Sequence, residues 1–209
     1  MRKFEMNIPI IAVTGRSGSG KSTVCKFFSQ RGYTVVDADR VAAEITDTSR
    51  ECLNELAERF GSDILDEKGR LDRRKLAQKA FASQENQAIL SSVTHPYIIR
   101  EILRRAAQAE TGGEPFVFVD GAVIVGHDFQ RYCTEIIVVI GDESQQIKRL
   151  TARDGITQEE AEKRLSVQTT EKCLRKAADH IIENRQGLAQ LVEQAKKILG
   201  KLERKYEKT

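Results

Sequence analysis

The stretch AVTGRSGSGKST, residues 12–23, constrains this chain more than any other feature. It continues the β-branched apolar run IPIIAVT (8–14) and contains Gly15-Arg16-Ser17-Gly18-Ser19-Gly20-Lys21-Ser22, a match to G-x-x-x-x-G-K-[ST]. That pattern requires a strand, a tight turn and a helix in immediate succession. Glycines let the backbone curl until its N–H groups face inward, and the helix N-terminus adds partial positive charge, so the turn becomes a cradle for a polyphosphate. A nucleoside triphosphate is expected across Gly15, Arg16, Ser17, Gly18, Ser19, Gly20, Lys21, Ser22 and Thr23. Lys21 is placed to reach the β- and γ-phosphates, and the Ser22 hydroxyl to ligate Mg²⁺.

The rest of the chain alternates in the same way. In STVCKFFSQRG, Val24, Phe27 and Phe28 recur at helical spacing from about Lys21, and Gly32 sits where a helix stops. YTVVD (33–37) reads as a second strand. From Thr48 to about Gly113 the pattern is helical throughout, with its longest segment interrupted at His95-Pro96. Strands return as PFVFVD (115–120), EIIVVIG (135–141) and ADHII (178–182), before an amphipathic C-terminal helix. This predicts an α/β, three-layer P-loop fold with a parallel five-stranded sheet, an inserted helical substrate domain and a helical lid. The expected boundaries are 1–47, 114–142 and 177–209 for the nucleotide-binding core, 48–113 for the insertion and 143–176 for the lid. On pattern alone, the charged 143–176 segment reads equally as two solvated surface helices.

Composition excludes several classes. Net charge is +3 and the basic residues alternate with acids, so no nucleic-acid stripe exists. Asp120 interrupts FVFVDGAVIV, and no other run approaches a membrane span. Cys25, Cys52, Cys133 and Cys173 form no C-x-x-C pair, which argues against a zinc site or disulfide framework. The start MRKFEMNIPIIAVTG has neither a long enough apolar region nor a cleavage site for a signal peptide. A cytoplasmic protein is expected, for which a monomer suffices.

Three further sets of residues carry chemistry. Asp120 ends an apolar strand, where a carboxylate holds Mg²⁺ directly or through water, or caps the turn at Gly121. In DADR, Asp37 and Asp39 face the same side if the strand persists, at the sheet edge where α/β proteins bind ligands. One of them could orient and deprotonate an acceptor hydroxyl, and Asp39 is also a candidate N-cap for the helix RVAAEI. Arg149 and Arg153 share a helix face, with Arg164 further on. They read as cations for a transferring phosphoryl group or as surface salt bridges.

Read in order, TGRSGSGKST, VVDADRVAAEI, Phe60-Gly61, GRLDRRKLAQKAF (69–81), THPYI, QQIKRLTARDGITQEEAEKRLSVQ and ADHIIEN resemble the dephospho-coenzyme A kinase family over nearly the whole chain. The resemblance implies ATP-dependent phosphorylation of the ribose 3′-hydroxyl of dephospho-CoA, the last step of CoA synthesis, with ATP as donor and Mg²⁺ as cofactor. It implies Asp39 as the base, with Asp37 second, and Arg149 and Arg153 as lid arginines. His95 and Pro96 match a motif of the CoA-binding insertion, where His95 is a substrate-side or a structural histidine.

Two departures stand out. The family pattern D-x-P-L-L-F-E reads DGAVIVG at 120–126, with Ala122, Val125 and Gly126 at the changed positions and the aliphatic pair kept as Val123 and Ile124. Arg16 stands where the family commonly has a small residue. A kinase for another hydroxyl or nucleotide acceptor, resembling uridine kinases, and an ATP-binding regulator without catalysis are the competing readings. The LDR, HP and lid motifs speak against the first. The joint presence of Lys21, Ser22, Asp39, Arg149 and Arg153 speaks against the second.

Overall fold

The computed structural model describes residues 7–122 and 124–206, so Val123 lies outside the described residues. Strand β1 (Ile10–Thr14) enters the glycine turn and leaves it as helix α1 (Lys21–Gln30). Then come β2 (Val35–Asp37), α2 (Ala38–Thr48), α3 (Arg50–Phe60), α4 (Arg73–Ala80) and α5 (Gln84–Thr111). The chain returns through β3 (Val117–Asp120) and β4 (Glu135–Gly141). It finishes with α6 (Glu143–Asp154), α7 (Gln158–Ser166), α8 (Glu171–Ala177), β5 (His180–Asn184) and α9 (Leu188–Tyr206). The five strands lie in the order β2-β3-β1-β4-β5, every neighbouring pair parallel.

A parallel sheet is covered on both faces, which is why these strands are continuously apolar. Alternate residues Ile11, Val13, Phe118, Ile137, Val139 and Ile182 join Val24 and Phe28 of α1 and Leu191, Ala195 and Leu199 of α9 in one core. Phe28 stacks on Phe118 with ring centroids 4.0 Å apart. On the opposite face Ile10, Ala12, Val117, Val119 and Val138 are fully buried as well.

The chain divides into two compact units, one of residues 1–37 and 105–209, the other of residues 38–104. The first holds the sheet. The second is helical and closes on its own core of Cys52, Leu56, Phe60, Ile64, Leu76 and Val93. Ser49 caps α3 through the Cys52 N–H, and Asp72 caps α4 through the N–H groups of Arg74 and Lys75. The helical unit thus begins at Ala38 rather than at 48 and ends at Arg104 rather than at 113.

Three local expectations need correction. Strand β2 stops at Asp37, so Asp39 lies in the first turn of α2. Two-residue alternation holds only within a strand, so the argument that put Asp37 and Asp39 on one side does not apply. Asp39 is inside α2 and is not its N-cap. Helix α5 runs on through Pro96. The proline removes one N–H from the ladder, while Val93 and Ile102 on either side stay buried and hold the helix in place.

Candidate active site

Helix starts show where a ligand is wanted. Asp142, Thr157 and Thr170 cap α6, α7 and α8, and Thr157 forms a full capping box with Glu160. Helix α1 has no side-chain cap, and its N-cap is Gly20 at φ 107°. The first N–H groups of α1 are therefore left for an anion. Neighbours hold the turn in shape. The amide Nδ2 of Asn184, at the end of β5, donates to the Ser19 carbonyl at 2.8 Å. A Cβ on Gly20 would come within 2.5 Å of that nitrogen, so position 20 admits only glycine for reasons of both φ and space.

The Lys21 ammonium pairs with the Asp120 carboxylate, and both side chains are largely buried. The thiol of Cys25, one turn further along α1, also donates to Asp120; burial first and the nearby carboxylate second push its pKa upward. Asp37 lies beside Asp120 in the parallel ladder, so two neighbouring strands each end in a carboxylate. Ser22 is exposed on the first turn of α1. The buried hydroxyls of Ser19 and Thr14 have no partner among the described residues. Buried polar groups are normally paired, so this turn fits an oxygen-rich ligand. No group of three or more His, Cys, Asp or Glu gathers as a ready metal site among the described residues. One or two carboxylates and a hydroxyl still suit Mg²⁺, which takes its other ligands from phosphates and water.

The cationic segment divides. Arg149 Nη1 donates to the Gly18 carbonyl at 2.8 Å and so lies against the turn. Arg153 forks onto Asp154 at 2.6 and 2.9 Å, and Arg164 joins the same carboxylate at 2.6 Å. These contacts, led by Arg153, hold the Asp154 carboxyl at about 2. In the helical unit, Asp39 is exposed on α2 and borders a mostly apolar cavity of about 310 Å³ with Ala43, Arg73, Leu76, Leu90 and Thr94. Arg73 is fixed there by Asp47 and the Ala43 carbonyl. His95 is half-buried on α5. After β3, Ile124 is buried, so the altered 120–126 loop keeps an apolar anchor.

Lys21, Asp120, Asp37, Arg149 and the glycine turn thus gather in the sheet unit, with Arg153 and Arg164 clustered on Asp154 and with Asp39 and His95 in the helical unit. Asn184 and Gln168 went unassigned from sequence. A buried asparagine closing an apolar strand was the available signal for the first. Gln168, which pairs with Ser17 through both ends of its amide, gave none.

An uncapped helix behind a glycine turn, with a lysine and a carboxylate at the carboxyl edge of a parallel sheet, defines a P-loop kinase. A shikimate kinase from Acinetobacter baumannii shares the fold, with TM-score 0.53 at 17% identity over 97% of each chain. Residues 9–190 match the dephospho-CoA kinase family, and the chain belongs to that family. It is 38% identical over 92% of its length to a dephospho-CoA kinase from Corynebacterium glutamicum, of which it covers 96%. It is 35% identical to that of Idiomarina loihiensis, with 90% of this chain and 92% of the other aligned. Among solved structures, TT1252 from Thermus thermophilus superposes with TM-score 0.80 at 32% identity over 93% of this chain and 98% of that one. A dephospho-CoA kinase from Campylobacter jejuni gives 0.62 at 26% identity over 92% and 96%.

Proposed function

We propose that this chain transfers the γ-phosphoryl group of ATP to the ribose 3′-hydroxyl of dephospho-CoA, giving CoA and ADP. The observation that carries this reading is the Lys21–Asp120 pair at the uncapped start of α1, in a chain whose family is that of dephospho-CoA kinases. The uridine-kinase-like and non-catalytic readings are not favoured.

The turn amides and Lys21 hold the β- and γ-phosphates. Ser22 and Asp120 would hold Mg²⁺, which would supply charge neutralisation on the phosphate oxygens. Asp39 orients the acceptor hydroxyl and takes its proton as the oxygen bonds to the γ-phosphorus and the bond to the leaving β-phosphate oxygen breaks. The transition state is loose, so Asp39 contributes mainly by positioning, and the cations contribute the larger electrostatic stabilisation. The cavity bordering Asp39 accepts part of the acceptor, and residues 143–176 act as the lid that excludes water from the phosphates. One chain carries every group named, which supports action as a monomer. Four free cysteines support a reducing, cytoplasmic setting, and no helix among the described residues is long and apolar enough to cross a membrane.

The test is ADP release with Mg²⁺ and ATP, with and without dephospho-CoA, for wild type and Asp39→Asn. Acceptor-dependent ADP that falls by ~10² in the variant, with ATP binding retained, is the expected result. ADP release that responds to uridine or another hydroxyl acceptor and not to dephospho-CoA refutes the reading.

A further inference from the structure

Three consecutive residues at the apex of the glycine turn each touch the segment 143–168. The Arg16 guanidinium donates through Nη1 to Glu143 at 2.7 Å and through Nη2 to the Leu165 carbonyl at 2.8 Å, and its side chain is only 17% exposed. Gln168 accepts from the Ser17 N–H at 2.9 Å and donates to the Ser17 hydroxyl at 2.8 Å. Gly18 receives Arg149, and a Cβ there would come within 2.9 Å of the Gln146 carbonyl oxygen. Glu143, Gln146 and Arg149 belong to α6, Leu165 to α7, and Gln168 to the turn beyond it.

Helices α6 and α7 are joined by their own small core of Leu150, Ala161 and Leu165, each almost fully buried. They form one block, and Arg16 reaches a different helix of that block with each arm of its fork. A planar fork of fixed geometry constrains distance and orientation together, which a single flexible contact does not. Because Arg149 rides on α6, the position that Arg16 gives the block is the position that Arg149 takes against Gly18.

We propose that Arg16 is a positioning residue that latches the lid to the apex of the phosphate turn and thereby places Arg149 for phosphoryl transfer. The proposal rests on the kinase reading above. A displacement of about 1 Å in a positioned group costs ~10²-fold in rate, and a loosened cover admits water to the phosphates.

Arg16→Ala, Arg16→Lys and Glu143→Gln separate this role from a merely structural one. For Arg16→Ala we expect kcat to fall about ten- to a hundredfold, KM for ATP to stay within about threefold of wild type, and the ratio of acceptor-independent ATP hydrolysis to transfer to rise. Arg16→Lys, whose ammonium can satisfy one of the two acceptors at a time, should be intermediate. Glu143→Gln should move the same quantities less. A second arm uses no acceptor: trypsin should cut after Arg164 several-fold faster in Arg16→Ala at unchanged melting temperature, because local opening governs cleavage. Wild-type kcat, hydrolysis ratio and cleavage rate in a folded Arg16→Ala overturn the proposal. If wild type ignores dephospho-CoA, the kinase reading fails, and the cleavage arm still decides the latch.

Discussion

The two ends of the parallel sheet treat polar groups in opposite ways. At the carboxyl end, Ser19 and Thr14 keep hydroxyls without a partner among the described residues, and α1 starts without a side-chain cap. At the amino end, partners saturate each other. The Glu135 carboxylate, 7% exposed, accepts from His180 Nε2, from Lys205 Nζ at 2.6 Å and from the Tyr206 hydroxyl. Beside it, the Asp179 carboxylate takes the Ile136 N–H at 2.8 Å, and the Thr134 hydroxyl takes the Ile10 N–H at 3.2 Å. Open strand ends in α/β folds bind ligands at the carboxyl edge. The difference teaches that unsatisfied donors mark the end built to receive a ligand, whereas satisfied ones mark the end built to hold the fold.

The largest test of that division is Lys21→Ala. Removing the cation that meets the transferring group should lower kcat by on the order of 10³, and the melting temperature should fall by several degrees without loss of the folded state, because Asp120 is left largely buried without its partner. A comparable collapse in stability would break the comparison. Gly20→Ala comes next. It places a Cβ at φ 107° and against Asn184, straining the turn by about 1–2 kcal/mol. Its melting temperature should fall by about 2–4 °C per kcal/mol of strain. Calorimetry should show ATP affinity weakened at least tenfold by roughly the energy of one lost charged hydrogen bond and a distorted cradle. Undiminished affinity would mean that the Asn184–Ser19 contact does not shape the phosphate turn.

Much of the carboxyl end was legible in the sequence because its chemistry is local. A strand, glycines, a lysine and a helix lie within two dozen residues, and backbone sterics force their geometry. Asp120 was legible because a carboxylate ending an apolar run has few other uses. The side on which Asp39 projects was not legible, because it depends on whether β2 lasts two residues longer, and propensity leaves the ends of short strands open. Gln168 and Asn184 reach the turn across 151 and 165 residues of chain, and no local pattern encodes such contacts. The Glu135 cluster was invisible for the same reason: its partners lie 45, 70 and 71 residues away, and the glutamate opens a strand as if it were solvent-facing.

The smallest effect on activity, and the sharpest on the stabilising end, belongs to Glu135→Gln. Burial by itself raises the pKa of this carboxyl, yet hydrogen bonds from Lys205, Tyr206 and His180 outweigh it and hold the group at about 2, against an ordinary 4.5. The folded protein keeps Glu135 ionised down to that pH, whereas the unfolded chain protonates it near 4.5, so the unfolded state binds more protons between the two values. The stabilisation is therefore complete above 4.5 and is lost as pH falls toward 2. Glu135→Gln should cost about 1–3 kcal/mol near neutral pH, leave kcat and KM at wild-type values, and flatten the fall of stability through that acid window. Asp154, whose carboxyl is also held at about 2 but by arginines in open solvent, is the control: solvent screens such pairs, so Asp154→Asn should shift the melting curve less. If both variants flatten the acid limb equally, burial at the amino edge adds nothing to its hydrogen bonds, and the contrast between the two ends of the sheet reduces to a contrast in ligand binding alone.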